Sequence, residues 1–401
     1  MSQLTLLGDE GTVVRTGLAD APAFARPSTP LRSRTAYAAA HVVPKAWADN
    51  TPGRPAEIDW DATLAFRRHV YSWGLGVADA MDTAQRNMGL DAASTRELIA
   101  RSAEVARDEG GALVVGVNTD HLESEAASLD EIVDAYRAQL HFAEEQGAGP
   151  VLMASRHLAR AATSAHDYRR VYGEVLASAS TPVVLHWLGT AFDPSLDGYF
   201  GSNDWHEAST VLIEIIEAHA DAVAGVKMSL LDAHAEVSVR ERLPEGVRMF
   251  TGDDFNYVSL IEGTQAGVDA PAAAGNGNGY RTYSDALLGA FAAVTPVASA
   301  AIQALDDGDA GRYRAILSPT EALSRQVFAA PTFYYKTGVA FLSWLNGHQP
   351  AFQMVGGLHS ARSLPHLSQV VELANASGAL EQPELAAERW HRLLRLNGVD
   401  A

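Results

Sequence analysis

Short apolar runs alternate with amphipathic segments from Arg34 onward, and this alternation is the strongest pattern in the chain. The runs are Thr35–Val43, Gly76–Met81, Ala112–Val117, Pro150–Ala154, Thr181–Trp187, Asp221–Leu230, Val247–Thr251 and a weak last one, Ala266–Ala270. Runs of this length with apolar residues at consecutive positions suit strands buried on both faces. The segments between them show helical spacing. Leu64, Phe66, Val70 and Trp73 form the inner side of a helix opening near Asp59, and Ile132, Tyr136 and Leu140 mark another. Tyr168, Val171, Tyr172, Val175 and Leu176 follow the i, i+3, i+4, i+7, i+8 pattern of a buried stripe. Ser94-Thr-Arg-Glu97 and Ser128-Leu-Asp-Glu131 have the form of capping boxes, in which each side chain satisfies a free backbone N–H at a helix start.

Eight strand-like runs, mostly separated by a helix, predict an α/β protein of the TIM (β/α)8 barrel class over residues 34–283. A doubly wound open sheet is the alternative, disfavoured because no Gly-x-Gly-x-x-Gly fingerprint or P-loop follows an early strand. Residues 1–33 predict an N-terminal hairpin, Leu4–Leu7 with Thr12–Arg15, and a Pro-containing linker, expected to close one end of the domain. Residues 284–401 predict an extended C-terminal helical region, interrupted near Pro319 and Pro331 and ending in a helix over Glu384–Leu396. Such a tail is expected to wrap the barrel or to build the interface of a homo-oligomer.

Composition narrows the function. The 401 residues include no cysteine, which excludes disulfides, thiolate metal sites and a cysteine nucleophile. A formal charge of −19 argues against nucleic acid, whose phosphates need a basic face. No uninterrupted apolar run reaches the length of a bilayer crossing, so no membrane partner is expected. The N-terminus, lacking the basic region and apolar core of a secretory signal, predicts a cytoplasmic address.

Candidate chemistry follows from the barrel, whose strands deliver functional side chains at their C-terminal ends. The polar residues placed there are His41 and Lys45, Asp82 and Thr83, Asn118 and Asp120, Ser155, His186, Lys227 and Ser229, and Asp253 and Asp254. Lys227 stands out, because it interrupts the apolar run Asp221–Leu230. Desolvation lowers a lysine pKa and yields a neutral amine able to attack a carbonyl carbon. The alternative is an ammonium that snorkels out of the strand end.

At Lys227 the sequence resembles a known family. Pro182-Val-Val-Leu-His186, Gly225-Val-Lys227, Thr251-Gly-Asp-Asp254 and Gly263-Thr-Gln-Ala-Gly267 are similar to the second half of the dihydrodipicolinate synthase/N-acetylneuraminate lyase family of class I aldolases, in a longer, divergent branch. The resemblance implies that Lys227 forms a Schiff base with a small carbonyl substrate, that no cofactor is required, and that the assembly is oligomeric. Where the family carries Gly-Thr-Thr-Gly-Glu, this chain has Met81-Asp-Thr-Ala-Gln85, so Thr83 is retained and Asp82 brings a negative charge to the carboxylate site. His186 stands where the family has a proton-shuttling tyrosine, and the usual arginine of the next loop is missing from Trp187–Asp193.

The resulting expectation is a Schiff-base aldolase, lyase or dehydratase acting on a carbonyl compound such as an oxidised sugar. Lys227, His186 and Thr83 are its catalytic residues, and Asp82, His41, Asn118, Ser155 and Asp253 bind substrate. The alternative is a metal-dependent sugar isomerase or epimerase on the same scaffold, with His41, Asp82, Asp120, His186 and Asp253 as ligands to a divalent ion. A non-catalytic sugar-binding barrel is the third reading, favoured if Lys227 is salt-bridged. Phe333-Tyr-Tyr-Lys-Thr-Gly338 reads as packing in the helical tail, and His348 and His359 read as solvated.

Overall fold

A computed structural model describes residues 3–263 and 282–401. Eight parallel strands close into a barrel: β3 (Ala36–Ala39), β4 (Gly76–Asp79), β5 (Leu113–Val117), β6 (Gly149–Met153), β7 (Val183–Leu188), β8 (Val223–Ser229), β9 (Arg248–Thr251) and β10 (Asp285–Leu288). The hairpin that precedes them is β1 (Gln3–Leu7) and β2 (Val13–Gly17), paired antiparallel. The first seven predicted runs coincide closely with β3 to β9. The weak eighth run, Ala266–Ala270, lies outside the described residues. The strand that completes the barrel is β10, which pairs with both β9 and β3. Asp-Ala-Leu-Leu is too short to register as a run, and it sits where the sequence pattern placed the start of the helical tail.

Inward positions fill the barrel with a separate apolar cluster that includes Ala39, Ala78, Val114, Val151, Met153, Val184, Phe250 and Leu287. Outward positions join a second, larger cluster under the surrounding helices. This two-sided burial explains why the strands read as continuous apolar runs. Asp59 caps the helix Trp60–Ser72 as expected, and Ser128 and Glu131 form the capping box of Leu129–Glu145. At the other expected box the helix begins earlier, at Ala92, because the Asp91 side chain accepts from the Ser94 N–H and takes the capping position.

The hairpin is seated on the tail. The Thr5 N–H donates to His391 Nε2 at 3.0 Å, the Leu7 N–H to Ser368 Oγ at 2.7 Å, and the Trp390 indole N–H to the Thr5 carbonyl at 2.7 Å. These partners lie on the last two helices, Leu364–Ser377 and Pro383–Leu396. First and last segments of the chain therefore fold as one layer beside the barrel. None of the described helices is long and apolar enough to cross a membrane.

Candidate active site

The inward-facing residues nearest the C-terminal mouth are where the barrel turns polar. His186 on β7 and Lys227 on β8 are direct register partners, so both side chains leave the sheet on the same face. Both are buried, His186 at 1% and Lys227 at 7% exposure. Room for the lysine stem comes from Gly252 at the end of β9. A Cβ there would sit 3.0 Å from Lys227 Cε and 2.7 Å from the Met228 carbonyl, and would overlap Ser229 Oγ. Because the Gly252 N–H also donates to that carbonyl at 2.7 Å, the backbone has no easy way to retreat. Gly252→Ala is expected to lower stability by about 1–3 kcal/mol through overpacking. The lysine amine is displaced with it, which denaturant titration and carbonyl-reagent labelling of Lys227 would read together.

Burial is the first cause of a lowered Lys227 pKa, opposed by the negative charges of Asp82 and Asp254. Among the described residues no hydrogen bond or ion pair holds Lys227 Nζ, so no acid pins it, and the side chain as a whole is buried. Asp254 is fully enclosed, and burial raises its carboxyl to about 7 even though it accepts from the Ala290 N–H at 2.9 Å. Asp253, the neighbour singled out from sequence, is occupied locally. Its oxygens accept from the Phe255 and Asn256 N–H groups and from the Asn256 side chain. Alternation cannot distinguish two consecutive acids once the strand has ended.

His186 Nε2 lies 3.1 Å from Ser229 Oγ, while its Nδ1 is buried with no partner. Burial, followed by the nearby Lys227 charge, pushes its pKa well below the usual histidine range. The ring is therefore neutral at physiological pH. This differs from the near-neutral titration that a free imidazole suggests. Trp187 points the other way, outside the barrel, where it meets Phe200 edge-on at 5.4 Å.

Thr83 lies in a short turn, Asp82–Ala84, aimed over the mouth by Ala80, whose φ of 49° is rare for a non-glycine residue. Its Oγ1 is 2.8 Å from the hydroxyl of Tyr335, which comes from the C-terminal region. Tyr335 stacks on Phe328 at 4.4 Å and meets Phe192 edge-on at 5.8 Å. Burial, then the Asp82 charge, raises its pKa well above the ordinary value. Beside it is Lys336, 2% exposed, whose Nζ donates to the Phe333 carbonyl at 3.0 Å. Its pKa is lowered to about 8 by burial, against the attraction of Asp82 and Asp193. The segment Phe333–Gly338 thus supplies two polar groups to the barrel mouth that sequence reasoning assigned to packing. A lysine adjoining aromatic residues in an otherwise apolar helix is the signal that was available.

A buried lysine with a folded pKa near 8 and an unfolded value near 10.5 makes the unfolded state the better proton binder between those values. Wild-type stability from this group therefore climbs as pH rises from 8 to 10.5. Lys336→Met is expected to be stabilised relative to wild type at pH 7, by on the order of 2–3 kcal/mol, with the advantage shrinking by pH 10. Denaturation curves of the two proteins at both pH values measure this.

The remaining sequence candidates make their hydrogen bonds and ion pairs to groups other than Lys227. His41 Nε2 bonds Gln349 Oε1 at 2.9 Å, and burial lowers its pKa to about 3. Asn118 accepts from the Thr119 N–H, and Thr119 Oγ1 lies 2.6 Å from Ser155 Oγ, which also caps the helix Arg156–Ala161. Asp120 is paired with Arg86, Lys45 with Glu57 at the surface. Among the described residues, no hydrogen bond joins His41, Asn118, Ser155 or Asp253 to Lys227. No three of His41, Asp82, Asp120, His186 and Asp253 come within metal-ligand spacing of one another among the described residues.

Comparison with known proteins supplies the family. A family model described as "Protein of unknown function (DUF993)" matches residues 4–399. The chain belongs to the DUF993 family. No curated protein sequence matches this DUF993 chain. Solved structures do. A 4-hydroxy-tetrahydrodipicolinate synthase from Methylacidiphilum fumariolicum SolV aligns at a TM-score of 0.59 with 14% identity, covering 88% of this chain and 99% of that one. A dihydrodipicolinate synthase from Bacteroides thetaiotaomicron aligns at 0.62 with 14% identity, covering 85% and 98%. A putative dihydrodipicolinate synthetase from Pseudomonas aeruginosa gives 0.61 and 14%, covering 86% and 99%. The DUF993 chain thus shares the barrel fold of dihydrodipicolinate synthases, as its sequence resemblance implied. At this identity the likeness is one of fold alone.

Proposed function

We propose that this DUF993 protein is a class I lyase that breaks a carbon–carbon or carbon–oxygen bond of a hydroxylated carbonyl compound through a Schiff base on Lys227. One observation carries the reading: an enclosed lysine at the C-terminal end of a barrel strand, depressed in pKa by burial and held by no acid. The neutral amine adds to the substrate carbonyl and forms a C–N bond. Loss of the former carbonyl oxygen as water gives an iminium. For carbon–carbon cleavage the iminium accepts the electron pair of the Cα–Cβ bond as the β-hydroxyl gives up its proton and becomes the carbonyl of the departing fragment, leaving an enamine that is then protonated at carbon. For carbon–oxygen cleavage a base removes the Cα proton, the iminium accepts that C–H pair, and the enamine expels the β-hydroxyl, protonated, as water to leave an unsaturated iminium. Hydrolysis of the iminium by water releases product and regenerates the amine in either case.

Asp254, raised to about 7, is suited to give and take the protons of these steps near neutrality. The Thr83–Tyr335 hydrogen bond offers a relay beside Asp82. His186, neutral and bonded to Ser229, orients that hydroxyl rather than supplying an acid. The missing arginine of the Trp187–Asp193 loop is offset by cations from elsewhere. Arg156 is paired with Asp193 of that loop, and Lys336 stands within the field of the same carboxylate. With Arg156 closed on Asp193, Lys336 is the one of these two cations left to meet an acidic group on the substrate, such as that of an oxidised sugar.

The test is reductive trapping. Borohydride added with a panel of small 2-keto acids and oxidised sugars, followed by peptide mapping, should place a stable adduct on Lys227. An adduct on Lys336 alone, or none with any member of the panel, overturns the assignment.

A further inference from the structure

Away from the barrel mouth, three side chains from three separated parts of the chain converge on one point. His69 lies in the last turn of the helix Trp60–Ser72. His348 follows the helix Tyr335–Leu345, and Glu381 sits in the short link before the final helix, Pro383–Leu396. One ligand atom from each falls within 4.8 Å of the other two. Glu381 Oε1 is 2.7 Å from His348 Nε2 and 3.5 Å from His69 Nε2. The sequence pattern suggested a solvated His348, yet its side chain is only 17% exposed, and those of His69 and Glu381 are 13% and 21% exposed.

We propose that His69, His348 and Glu381 form a binding site for a zinc-class divalent cation that clasps the C-terminal region to the barrel. Two imidazole nitrogens and one carboxylate oxygen are a donor set that Zn²⁺ accepts in tetrahedral geometry, with ligand distances near 2.0–2.2 Å. Those distances set neighbouring ligand atoms about 3.3 Å apart. The two separations from Glu381, 2.7 and 3.5 Å, bracket this value, and the ligand atoms of the two imidazoles lie within 4.8 Å of each other, so side-chain rotation of the histidines closes the three on one ion. The hard oxygen-rich shells that Mg²⁺ and Ca²⁺ require are not offered here.

His69 Nε2 is buried without a hydrogen-bond partner, an unmet donor or acceptor that a cation would satisfy. The surroundings hold the ligands in place. Phe66 stacks on the His69 ring at 5.9 Å and meets His348 edge-on at 5.7 Å, and the two imidazoles lie 4.1 Å apart. Asn346 Oδ1 accepts from the Glu381 N–H at 3.0 Å, and its amide donates to the Ala379 carbonyl at 2.8 Å, which fixes the carboxylate-bearing link. The three ligands thus tie the first barrel helix to the segment that carries Tyr335 and Lys336.

The experiment uses the full-length protein, stripped with a chelator and dialysed. Titration with zinc sulfate should give one saturable site per chain by calorimetry and a higher melting temperature. Cobalt(II) should give the intense visible absorption of a four- or five-coordinate ion with nitrogen ligands. Glu381→Gln should weaken zinc binding at least tenfold, and His348→Gln, which keeps a hydrogen-bonding partner for Glu381, should do the same with the fold intact by circular dichroism. Absence of saturable binding to the wild type, a six-coordinate cobalt spectrum, or unchanged affinity in both variants overturns the proposal. Because every readout is of metal rather than turnover, these outcomes are independent of Schiff-base chemistry at Lys227.

Discussion

With Lys227 replaced by alanine, turnover of the carbonyl substrate is expected to fall by at least about 10⁴-fold, and the borohydride-trapped adduct to disappear. The size of the effect follows from the role. An amine that forms a covalent intermediate has no substitute nearby, and Lys336, although also depressed in pKa, is occupied by the Phe333 carbonyl and the Tyr335 ring 4.6 Å away. The rate of adduct formation with wild type should rise with pH and level off below the ordinary lysine pKa of 10.5, because only the unprotonated amine adds to a carbonyl. Arginine at the same position would keep a charge and lose the nucleophile, so Lys227→Arg should be as inactive as the alanine variant. Substantial turnover in either variant would remove covalent catalysis from this barrel.

Arg67→Leu is expected to destabilise the protein by about 3–5 kcal/mol in equilibrium denaturation. Arg67 and Asp79 form a fully buried two-pronged pair at 2.9 and 2.8 Å, both side chains 0% exposed. Removing one partner leaves the other charge enclosed and unpaired. Arg67 also donates to the carbonyls of His41 and Thr63, so its loss strips the exit of β3 of its anchor. The double variant Arg67→Leu/Asp79→Leu should recover part of the loss, since the uncompensated charge is gone. A double variant less stable than Arg67→Leu would mean that the bonds Asp79 accepts from the Ser102 hydroxyl and the Ala80 N–H outweigh the cost of its unpaired charge.

The barrel was legible because parallel strands buried on both faces leave uninterrupted apolar runs, and the helices between them repeat at their own period. Lys227 was legible for the same reason, as the polar residue that breaks such a run. Strand β10 was not, since four residues carry too little pattern. Tyr335 was hidden for a different reason: nothing local to Phe333–Gly338 records that its partner is Thr83. The choice between Asp253 and Asp254 depended on which carboxylate the backbone N–H groups claim, a matter of loop conformation. The pairing of His41 with Gln349, and of His348 with Glu381, likewise rests on how the tail docks.

The Thr83–Tyr335 hydrogen bond has a further consequence for biogenesis. A nascent polypeptide that has emerged as far as β10 has every barrel strand and still lacks the hydroxyl that meets Thr83. Loss of the tail, by premature termination or proteolysis, would remove that hydroxyl and uncover the apolar core the barrel shares with the C-terminal helices. Synthesis must therefore run past residue 335 before Thr83 can meet the hydroxyl it is bonded to in the folded chain.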